Sequence, residues 1–316
     1  MGAMLQEERG DDAVGFDIAL QCPCCRNDQS GLSCTLCGFQ MRVDGEIVRA
    51  LLPERAAHYA RFIGDYERIR AEEGRGSQKE DFYLGLPYKD ASGKNTKQWD
   101  IRARSYKCLI EDVLRLPGQN RKILDLGAGN GWMSFRLALA GFHPVAVDLL
   151  TNDQDGLAAA GHYQRHMAEP FPRVQAEMTR LPFQGEQFDA VVFNASFHYS
   201  EDYEASLREA LRCLRVGGRV IISDTPWYSR EESGREMIAE RHAAFLQRFG
   251  TASDSIRSLE FLTDERLQFL AERLSVRWTV HKPHHGLKWA LRPWLARMRR
   301  RREPSRFRIY TATKNA

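Results

Sequence analysis

The stretch Arg121-Lys-Ile-Leu-Asp-Leu-Gly-Ala-Gly-Asn-Gly-Trp132 decides the fold of this chain. Its first half is a short apolar run, which is typical of a buried strand. The glycines that follow allow a sharp turn and let a ligand approach the main chain. An apolar helical pattern then runs to Ala140, and its first turn presents unpaired N–H groups at the same place. The sequence therefore predicts a strand–turn–helix unit that binds a ligand.

Further apolar runs alternate with helical patterns along the chain. The expected strands are 121–126, 143–148, 173–177, 188–193, 219–223, 276–280 and 306–311. Helices are expected between most of them, and two more at 231–249 and 263–274 follow the fifth strand. This alternation predicts an α/β fold with a doubly wound, mostly parallel sheet of seven strands.

The spacing of the glycines separates two classes of ligand. A nicotinamide-dinucleotide fingerprint needs a third glycine or alanine three positions after the second. That position is Trp132 here, and the third glycine is instead Gly131. An acid, Asp125, also stands two residues before the first glycine. The turn therefore departs from the dinucleotide pattern.

This arrangement resembles the first motif of the class I S-adenosylmethionine (SAM) methyltransferases, and further motifs of that family follow in order. Asp148 ends the second strand, nineteen residues after Gly129. The runs Glu177-Met-Thr-Arg-Leu-Pro-Phe183 and Phe188-Asp-Ala-Val-Val-Phe-Asn194 are similar to the family's acid, Leu-Pro-Phe and Phe-Asp series. The resemblance covers roughly residues 99–314 and implies a Rossmann-like methyltransferase fold with SAM as methyl donor.

The resemblance also implies which residues hold the cofactor. Asp148 would accept both ribose hydroxyls, Glu177 would accept from the adenine amino group, and the Met178 N–H would reach an adenine ring nitrogen. Asn194 and Arg102 would lie at the methionine end, where the arginine would pair with the carboxylate. A solvated surface arginine is the alternative for Arg102. The full predicted set is Arg102, Asp125, Gly127, Gly129, Gly131, Asp148, Glu177, Met178 and Asn194.

Candidate catalytic residues follow the fourth and fifth strands. Methyl transfer from SAM is an in-line displacement that needs positioning and exclusion of water, and it needs a base only if the acceptor must lose a proton. His198, Tyr199 and Asp224 are the candidates. Two alternatives stay open. His198 would instead fill the pocket wall or cap the helix that starts near Ser200. Asp125 would brace the glycine turn rather than bind the amino group of the cofactor through water.

Five of the seven cysteines lie between Cys22 and Cys37, which predicts a metal site. Cys22-Pro-Cys-Cys25 and Cys34-Thr-Leu-Cys37 supply four thiolates, the set that a tetrahedral Zn²⁺ ion prefers, and Cys24 is an alternative to a neighbouring ligand. Four cysteines leave no open coordination position, so we expect a structural ion. The module resembles the short zinc ribbons fused ahead of some bacterial methyltransferases. The predicted ligands are Cys22, Cys25, Cys34 and Cys37.

Composition and charge suggest how the chain is organised. We expect a flexible tail (1–19), a zinc ribbon (20–52), a helical linker or lid (53–98) and a methyltransferase domain (99–316) with a basic insert at 281–305. The net charge is +4, yet residues 288–308 alone carry nine cations and one anion. Tryptophans among these cations suit nucleic acid or an anionic bilayer surface, and a solvated helix face is the alternative.

The functions that remain open belong to three classes. Apolar residues make up 43 % of the chain, and no run approaches the roughly 18 apolar residues of a membrane span, so we expect a cytoplasmic globular protein. We favour a SAM-dependent methyltransferase of a small metabolite or lipid-like acceptor. The second hypothesis is a ribosomal or transfer RNA methyltransferase that uses the zinc ribbon and the basic segment to bind RNA. The third is a non-catalytic SAM-binding or scaffold protein. The sequence fixes neither the acceptor atom nor the oligomeric state.

One motif argues against a particular acceptor chemistry. The fourth strand ends in Asn194-Ala-Ser-Phe-His-Tyr199. This run lacks the Asn/Asp-Pro-Pro-aromatic box of the adenine and glutamine N-methyltransferases. Amino methylation by the hydrogen-bonding scheme of those enzymes is therefore not expected here.

Overall fold

The structure, a computed structural model, describes residues 17–115 and 120–315. The N-terminal module begins with two short antiparallel strands, β1 (Leu20–Gln21) and β2 (Asp28–Gln29). A second hairpin follows, made of β3 (Arg42–Asp44) and β4 (Ile47–Arg49). Most of the predicted flexible tail lies outside the described residues. Its last residue, Ala19, is held by backbone and side-chain hydrogen bonds to Gln184 and Gln187.

Three helices connect the module to the main sheet. They are α1 (Pro53–Glu72), α2 (Glu80–Gly85) and α3 (Thr96–Cys108), the last continued by a π-helical turn at Leu109–Val113. Pro53 suits the first turn of α1 because that position needs no N–H donor. Residues predicted as a linker or lid therefore form one long helix and a short one, with the start of α3.

The rest of the chain alternates strands and helices as predicted. The strands are β5 (Lys122–Leu126), β6 (His143–Asp148), β7 (Arg173–Gln175), β8 (Phe188–Asn194), β9 (Leu214–Ser223), β10 (Thr279–His281) and β11 (Ile309–Thr313). The helices are α4 (Trp132–Leu139), α5 (Tyr203–Cys213), α6 (Glu231–Phe249), α7 (Asp264–Leu274), α8 (Leu287–Ala290) and α9 (Arg292–Met298). Two 3₁₀ segments, Leu157–His166 and Phe197–Tyr199, follow β6 and β8.

The strands form one mixed sheet in the order β10-β11-β9-β8-β5-β6-β7-β4-β3. Strands β5 to β9 run parallel, and β11 lies antiparallel between β9 and β10. This is the doubly wound α/β fold predicted from the alternation, and its last strand, β11, is antiparallel to both of its neighbours. Strand order reverses at β5, so the open crevice lies above the carboxyl ends of β5 and its neighbours, where ligands bind in such sheets.

The sheet has nine strands rather than the seven predicted, because the N-terminal module joins it. Strand β4 pairs in parallel with β7, with Val48 opposite Val174. Apolar residues of the module also enter the main core; Met41 and Val48 are each about 1 % exposed and pack in the same cluster as Leu124. The predicted ribbon therefore contributes its second hairpin to the edge of the main sheet and is not a separate domain.

Burial on both faces holds the parallel strands in place. Successive residues of β5, such as Ile123 and Leu124, belong to two different apolar clusters on opposite faces of the sheet. A parallel sheet covered on both faces buries near-continuous apolar runs, which is what the sequence shows. This rigid sheet fixes the carboxyl ends of its strands relative to one another, and the polar side chains found there form the site.

Candidate active site

The glycine turn after β5 brings the main chain close to its neighbours. Gly127 and Gly129 both have positive φ, +76° and +55°, a conformation that side chains other than glycine rarely adopt. A Cβ atom on Gly127 would lie 2.2 Å from the Cβ of Ser196, at the end of β8. The turn therefore admits only glycine at position 127, and its residues line the crevice.

Asp148, at the end of β6, ties the glycine turn to the second strand. Its Oδ2 accepts the N–H of Gly129 at 2.7 Å, and its Oδ1 accepts the N–H of Leu150 at 2.8 Å. Burial raises the pKa of this carboxyl to about 6, although the backbone donors oppose the shift. Each oxygen has a lone pair left, so the side chain can accept two further hydroxyl donors from the crevice.

Asp125, two residues before the turn, carries an unsatisfied oxygen. Ser134 donates its hydroxyl to Oδ2 at 2.8 Å, while Oδ1 is buried and has no partner among the described residues. Burial, with the nearby Asp148 carboxylate, raises the pKa of Asp125 to about 7. A buried acceptor without a donor is costly, so its presence at a cavity wall indicates a ligand donor or water at that place.

A cavity of about 350 Å³ opens above these residues. It is lined by eight of the nine predicted cofactor residues: Arg102, Asp125, Gly127, Gly129, Asp148, Glu177, Met178 and Asn194. Gly131 is not among the lining residues. It forms the N-cap of α4 with φ +77°, and a Cβ there would lie 3.1 Å from Ala160 and Phe171. The structure thus places Gly131 in the packing of the helix rather than in the cavity wall.

Helix α1 covers this cavity with one face. The residues that line it are Arg55, Tyr59, Phe62, Tyr66 and Arg70, spaced by three or four positions as one helix face requires. Arg70 forms an ion pair with the buried Asp155 at 2.5 Å. The sequence predicted a helix here but gave no role to these side chains. Their heptad-like spacing in the sequence predicts that one face of the helix is buried. The spacing does not predict which part of the protein that face covers.

Glu177, predicted to receive the adenine amino group, already has two partners. Arg55 donates Nε to Oε2 at 2.9 Å, and the Tyr59 hydroxyl donates to the same oxygen at 3.2 Å. The Arg55 guanidinium and Glu177 thus tie α1 to the end of β7. A carboxylate offers about four lone-pair positions, so a further donor from a ligand can still be accepted.

A second cavity of about 430 Å³ lies beside the first. The two share a wall, which consists of Phe62, Tyr66, Arg70, Arg102, Ala195 and Tyr199. All three candidate catalytic residues, His198, Tyr199 and Asp224, line this second cavity. Tyr66 and Tyr199 meet edge to face, with ring centroids 5.4 Å apart. The structure therefore places most predicted cofactor residues in the first cavity, His198 and Asp224 in the second, and Arg102 and Tyr199 in the wall that the two cavities share.

The walls of the second cavity are aromatic and cationic. Aromatic rings from five different parts of the chain line it: Phe62, Tyr66, Tyr199, Phe245, Trp289 and Phe307. Of its five arginines, three form ion pairs: Arg70 with Asp155, Arg75 with Glu73 and Arg241 with Glu260. Within the described part of the chain, Arg102 and Arg292 have no recorded ion pair, and each stacks on a tryptophan ring. These two guanidinium groups are free to meet an anion.

The titratable candidates differ in how burial affects them. Burial, together with the nearby Arg241 and Arg102, lowers the pKa of His198 to about 3, so the imidazole is neutral and weakly basic at neutral pH. Burial raises the pKa of Asp224 to about 6, against a hydrogen bond from Ser105 at 2.5 Å. Its Oδ2 is buried without a partner among the described residues. Asp224 is therefore better suited than His198 to accept a proton.

The four predicted zinc ligands converge. The Sγ atoms of Cys22, Cys25, Cys34 and Cys37 all lie within 4.8 Å of one another, as a tetrahedral thiolate site requires. Cys24 is exposed and outside this group. In the two knuckles, Arg26 and Gly38 follow the second cysteine with similar positive φ angles, +65° and +73°. Arg26 tolerates this conformation, and its guanidinium pairs with Glu209 on α5 at 2.5 Å.

Comparisons with known proteins agree with the fold and with the glycine turn. Residues 124–222 match the family model described as a methyltransferase domain, and the resemblance drawn from the motifs is confirmed. Among curated proteins, it is 34 % identical over 121 residues to a demethylmenaquinone methyltransferase of Mycobacterium marinum, covering 38 % of this chain and 48 % of that protein. It is 36 % identical over 107 residues to the enzyme of that name from Mycolicibacterium paratuberculosis, covering 34 % and 43 %. The chain spans less than half the length of these relatives.

Solved structures share the fold at low sequence identity. A phosphoethanolamine N-methyltransferase of Haemonchus contortus, bound to phosphomonomethylethanolamine and S-adenosylhomocysteine, superposes with a TM-score of 0.51 at 15 % identity, covering 81 % of this chain and 60 % of that one. The complex of the Haloferax volcanii Trm112 methyltransferase activator with a putative methyltransferase gives 0.50 at 14 % identity, covering 81 % and 98 %. Separately, no helix in the described part of the chain is long and apolar enough to cross a bilayer.

Proposed function

We propose that this protein is a SAM-dependent methyltransferase whose acceptor is a small or lipid-like molecule with a flat apolar body and an anionic group. The observation that carries the proposal is the shared wall. The glycine turn, Asp125 and Asp148 border one cavity, and Asp224 and His198 border its neighbour. Two adjoining cavities that share lining residues would hold the methyl donor and the acceptor side by side, as a two-substrate group transfer needs.

The residues of the first cavity fit SAM. When bound, SAM supplies a methyl group on a cationic sulfur. Asp148 would accept the ribose hydroxyls, and Met178 would offer its N–H to the adenine ring. The unpartnered Oδ1 of Asp125 would receive the amino group, directly or through water. Arg102, which has no recorded ion pair in the described part of the chain, would meet the carboxylate.

The residues of the second cavity fit a non-polymeric acceptor. Its rings would enclose an apolar body, and Arg292 would hold an anionic group at the far end from the cofactor. The curated relatives bear the name demethylmenaquinone methyltransferase, which favours a quinone-like acceptor class over RNA. Helix α1 and the tyrosine pair Tyr66 and Tyr199 would exclude water from the transfer.

Transfer of a labelled methyl group to a fractionated cell extract tests this proposal. Zinc-loaded protein is incubated with methyl-labelled SAM and a cell extract that is then separated into lipid, small-molecule, RNA and protein fractions. We expect the label in the lipid or small-molecule fraction. Label in RNA would favour the RNA methyltransferase hypothesis, and SAM binding without transfer to any fraction would favour the non-catalytic one.

The raised pKa of Asp125 predicts that SAM binding is linked to proton release. A bound ammonium favours the ionised carboxylate, so below a pKa of about 7 binding must expel a proton. The affinity should therefore be highest just above that pH, where Asp125 is ionised and the amino group of SAM is still charged, and it should fall toward tenfold per pH unit below it. Calorimetry in two buffers of different ionisation enthalpy measures the released proton. Asp125→Asn should abolish the release, and an affinity that is independent of pH in the unmodified protein would contradict the role.

Asp224 is expected to act as the base if the acceptor loses a proton. Asp224→Asn should lower kcat by about 10²–10⁴-fold and leave SAM affinity nearly unchanged, while His198→Asn should have a much smaller effect. The ascending limb of the pH profile should lie near the Asp224 pKa of about 6. Ser105→Ala removes a hydrogen bond that lowers this pKa, so it should move the limb to higher pH. An unchanged kcat in Asp224→Asn, with the acceptor identified by labelling, would exclude the role.

We also propose that the four clustered cysteines hold a structural zinc ion. Four thiolates occupy all positions of a tetrahedral site, so the ion would have no open position for a substrate. Its contribution would be to fix the two knuckles and, through them, the hairpin that extends the main sheet.

A further inference from the structure

Residues 287–298, called the 287–298 segment below, carry an apolar stripe that nothing in the described chain covers. It comprises α8 and α9, and hydrogen bonds from Leu291 to Leu287 and from Leu295 to Leu291 continue the helical ladder between them. Five of its large apolar side chains are exposed: Leu287 (78 %), Leu291 (54 %), Trp294 (59 %), Leu295 (38 %) and Met298 (64 %). Their spacing places them on a stripe about 100° wide along one helix face.

Cations without acidic partners flank this stripe. Lys288, Arg297, Arg299, Arg300 and Arg301 are exposed, and no ion pair is recorded for them with any described residue. The three arginines that follow behave differently: Arg302 pairs with Glu240, Arg306 with Glu303 and Arg308 with Asp264. Lys288 and Arg297 fall on opposite sides of the stripe by helical spacing. The unpaired charge is therefore concentrated beside the exposed apolar side chains.

The inner face of the same segment forms part of the second cavity. Trp289 and Arg292 line that cavity, with the Arg292 guanidinium 3.8 Å from the centroid of the Trp289 ring. Trp289 also stacks on Phe307, at 5.6 Å between ring centroids. One helical segment thus presents an apolar and cationic face outward and a cavity wall inward.

We propose that the 287–298 segment docks this protein on an anionic lipid bilayer. The apolar stripe would enter the boundary between headgroups and acyl chains, where a tryptophan such as Trp294 is favourably placed. The flanking cations would meet the lipid phosphates, as juxtamembrane basic clusters do. The proposal goes beyond the methyltransferase activity, and it places the second cavity beside the bilayer surface.

RNA fits these observations less well. A phosphate backbone would satisfy the cations, and one exposed tryptophan could stack on a base. Leucine and methionine side chains, however, gain nothing from a hydrated polyanion, and four of the five residues of the stripe are of those types. A bilayer satisfies both the apolar stripe and the charges, so the combination points to lipid.

Vesicle sedimentation tests the proposal with the full, zinc-loaded chain and without any methyl donor. We expect the protein to bind vesicles of phosphatidylcholine mixed with phosphatidylglycerol and to bind pure phosphatidylcholine weakly. Because each cation near an anionic surface strengthens binding several-fold, Arg299→Gln, Arg300→Gln and Arg301→Gln together should weaken it on the order of 100-fold. Leu291→Glu with Trp294→Glu should reduce it at least tenfold by removing apolar burial.

The matched control places the same charges on other exposed apolar residues. Leu246→Glu with Phe269→Glu changes side chains of similar exposure, 59 % and 56 %, outside the segment, and should lower binding far less than the pair within it. The proposal fails if the protein does not bind anionic vesicles at low salt, or if the two glutamate pairs weaken binding equally. It also fails if a structured RNA binds while vesicles do not. SAM calorimetry on the same samples keeps these outcomes separate from any failure of the methyltransferase proposal.

Discussion

Replacing Cys22 by serine is expected to destabilise the whole sheet and not only the N-terminal knuckles. Structural zinc sites contribute apparent binding free energies of about 10–16 kcal/mol, and losing one of four ligands should cost on the order of 5 kcal/mol of that. The hairpin β3–β4 pairs with β7, and Met41 packs in the main core. We therefore expect a large fall in Tm and loss of bound zinc, measured by thermal unfolding and by metal analysis.

The control for this prediction lies two residues away. Cys24 is exposed and outside the four-sulfur cluster, so Cys24→Ser should retain one zinc per chain and an unchanged Tm. Removal of zinc by a strong chelator should reproduce the effect of Cys22→Ser. It should also promote aggregation, because losing the hairpin uncovers the edge of β7. The zinc assignment would be wrong if Cys24→Ser released the metal while Cys22→Ser kept it.

Asp148→Asn is expected to reduce SAM affinity by about 100-fold or more. Both carboxylate oxygens accept backbone N–H groups, from Gly129 and from Leu150. An amide has one oxygen, so its NH₂ must face one of these donors, and the turn is pushed out of position. The variant also loses a charged acceptor for the ribose hydroxyls, and hydrogen bonds to charged groups contribute about 1.5–3 kcal/mol each.

Calorimetry with SAM and with its demethylated product measures this effect. Asp153→Asn is the matched control, because it removes the same charge from an exposed side chain nearby and should leave both affinities unchanged. Circular dichroism should show that both variants keep the fold. An unchanged dissociation constant for Asp148→Asn would remove this residue from the proposed cofactor site.

The sequence was sufficient to predict a structural feature where a local pattern is compatible with only one conformation. A glycine at position 127 is required because the backbone there has positive φ and its neighbour Ser196 leaves no room for a Cβ. The alternation of apolar runs with helical patterns predicted the parallel strands. A sheet that is covered by helices on both faces needs strands that are apolar on both sides. The two Cys-x2-Cys pairs predicted which four sulfur atoms converge, and Cys24 lies outside that cluster.

Predictions were weaker where a residue's role depends on distant elements. Gly131 belongs to the same short motif as Gly127, yet it packs against Ala160 and Phe171 rather than lining the cavity. The strand count was too low because the pairing of β4 with β7 joins residues more than 120 positions apart, and nothing in either short segment encodes the partner. Strand pairing of this kind is decided by the packing of the whole core.

By itself, the sequence determined the turn, the sheet that carries it and the cysteine pairs, since backbone sterics and apolar periodicity act within a few residues. Only the tertiary structure decided that α1 closes the first cavity through Arg55 and Glu177, and that Trp289 and Arg292 form a wall of the second. Those contacts join segments that are far apart along the chain. They exist because the folded core holds the elements at fixed positions, and no local spacing specifies them.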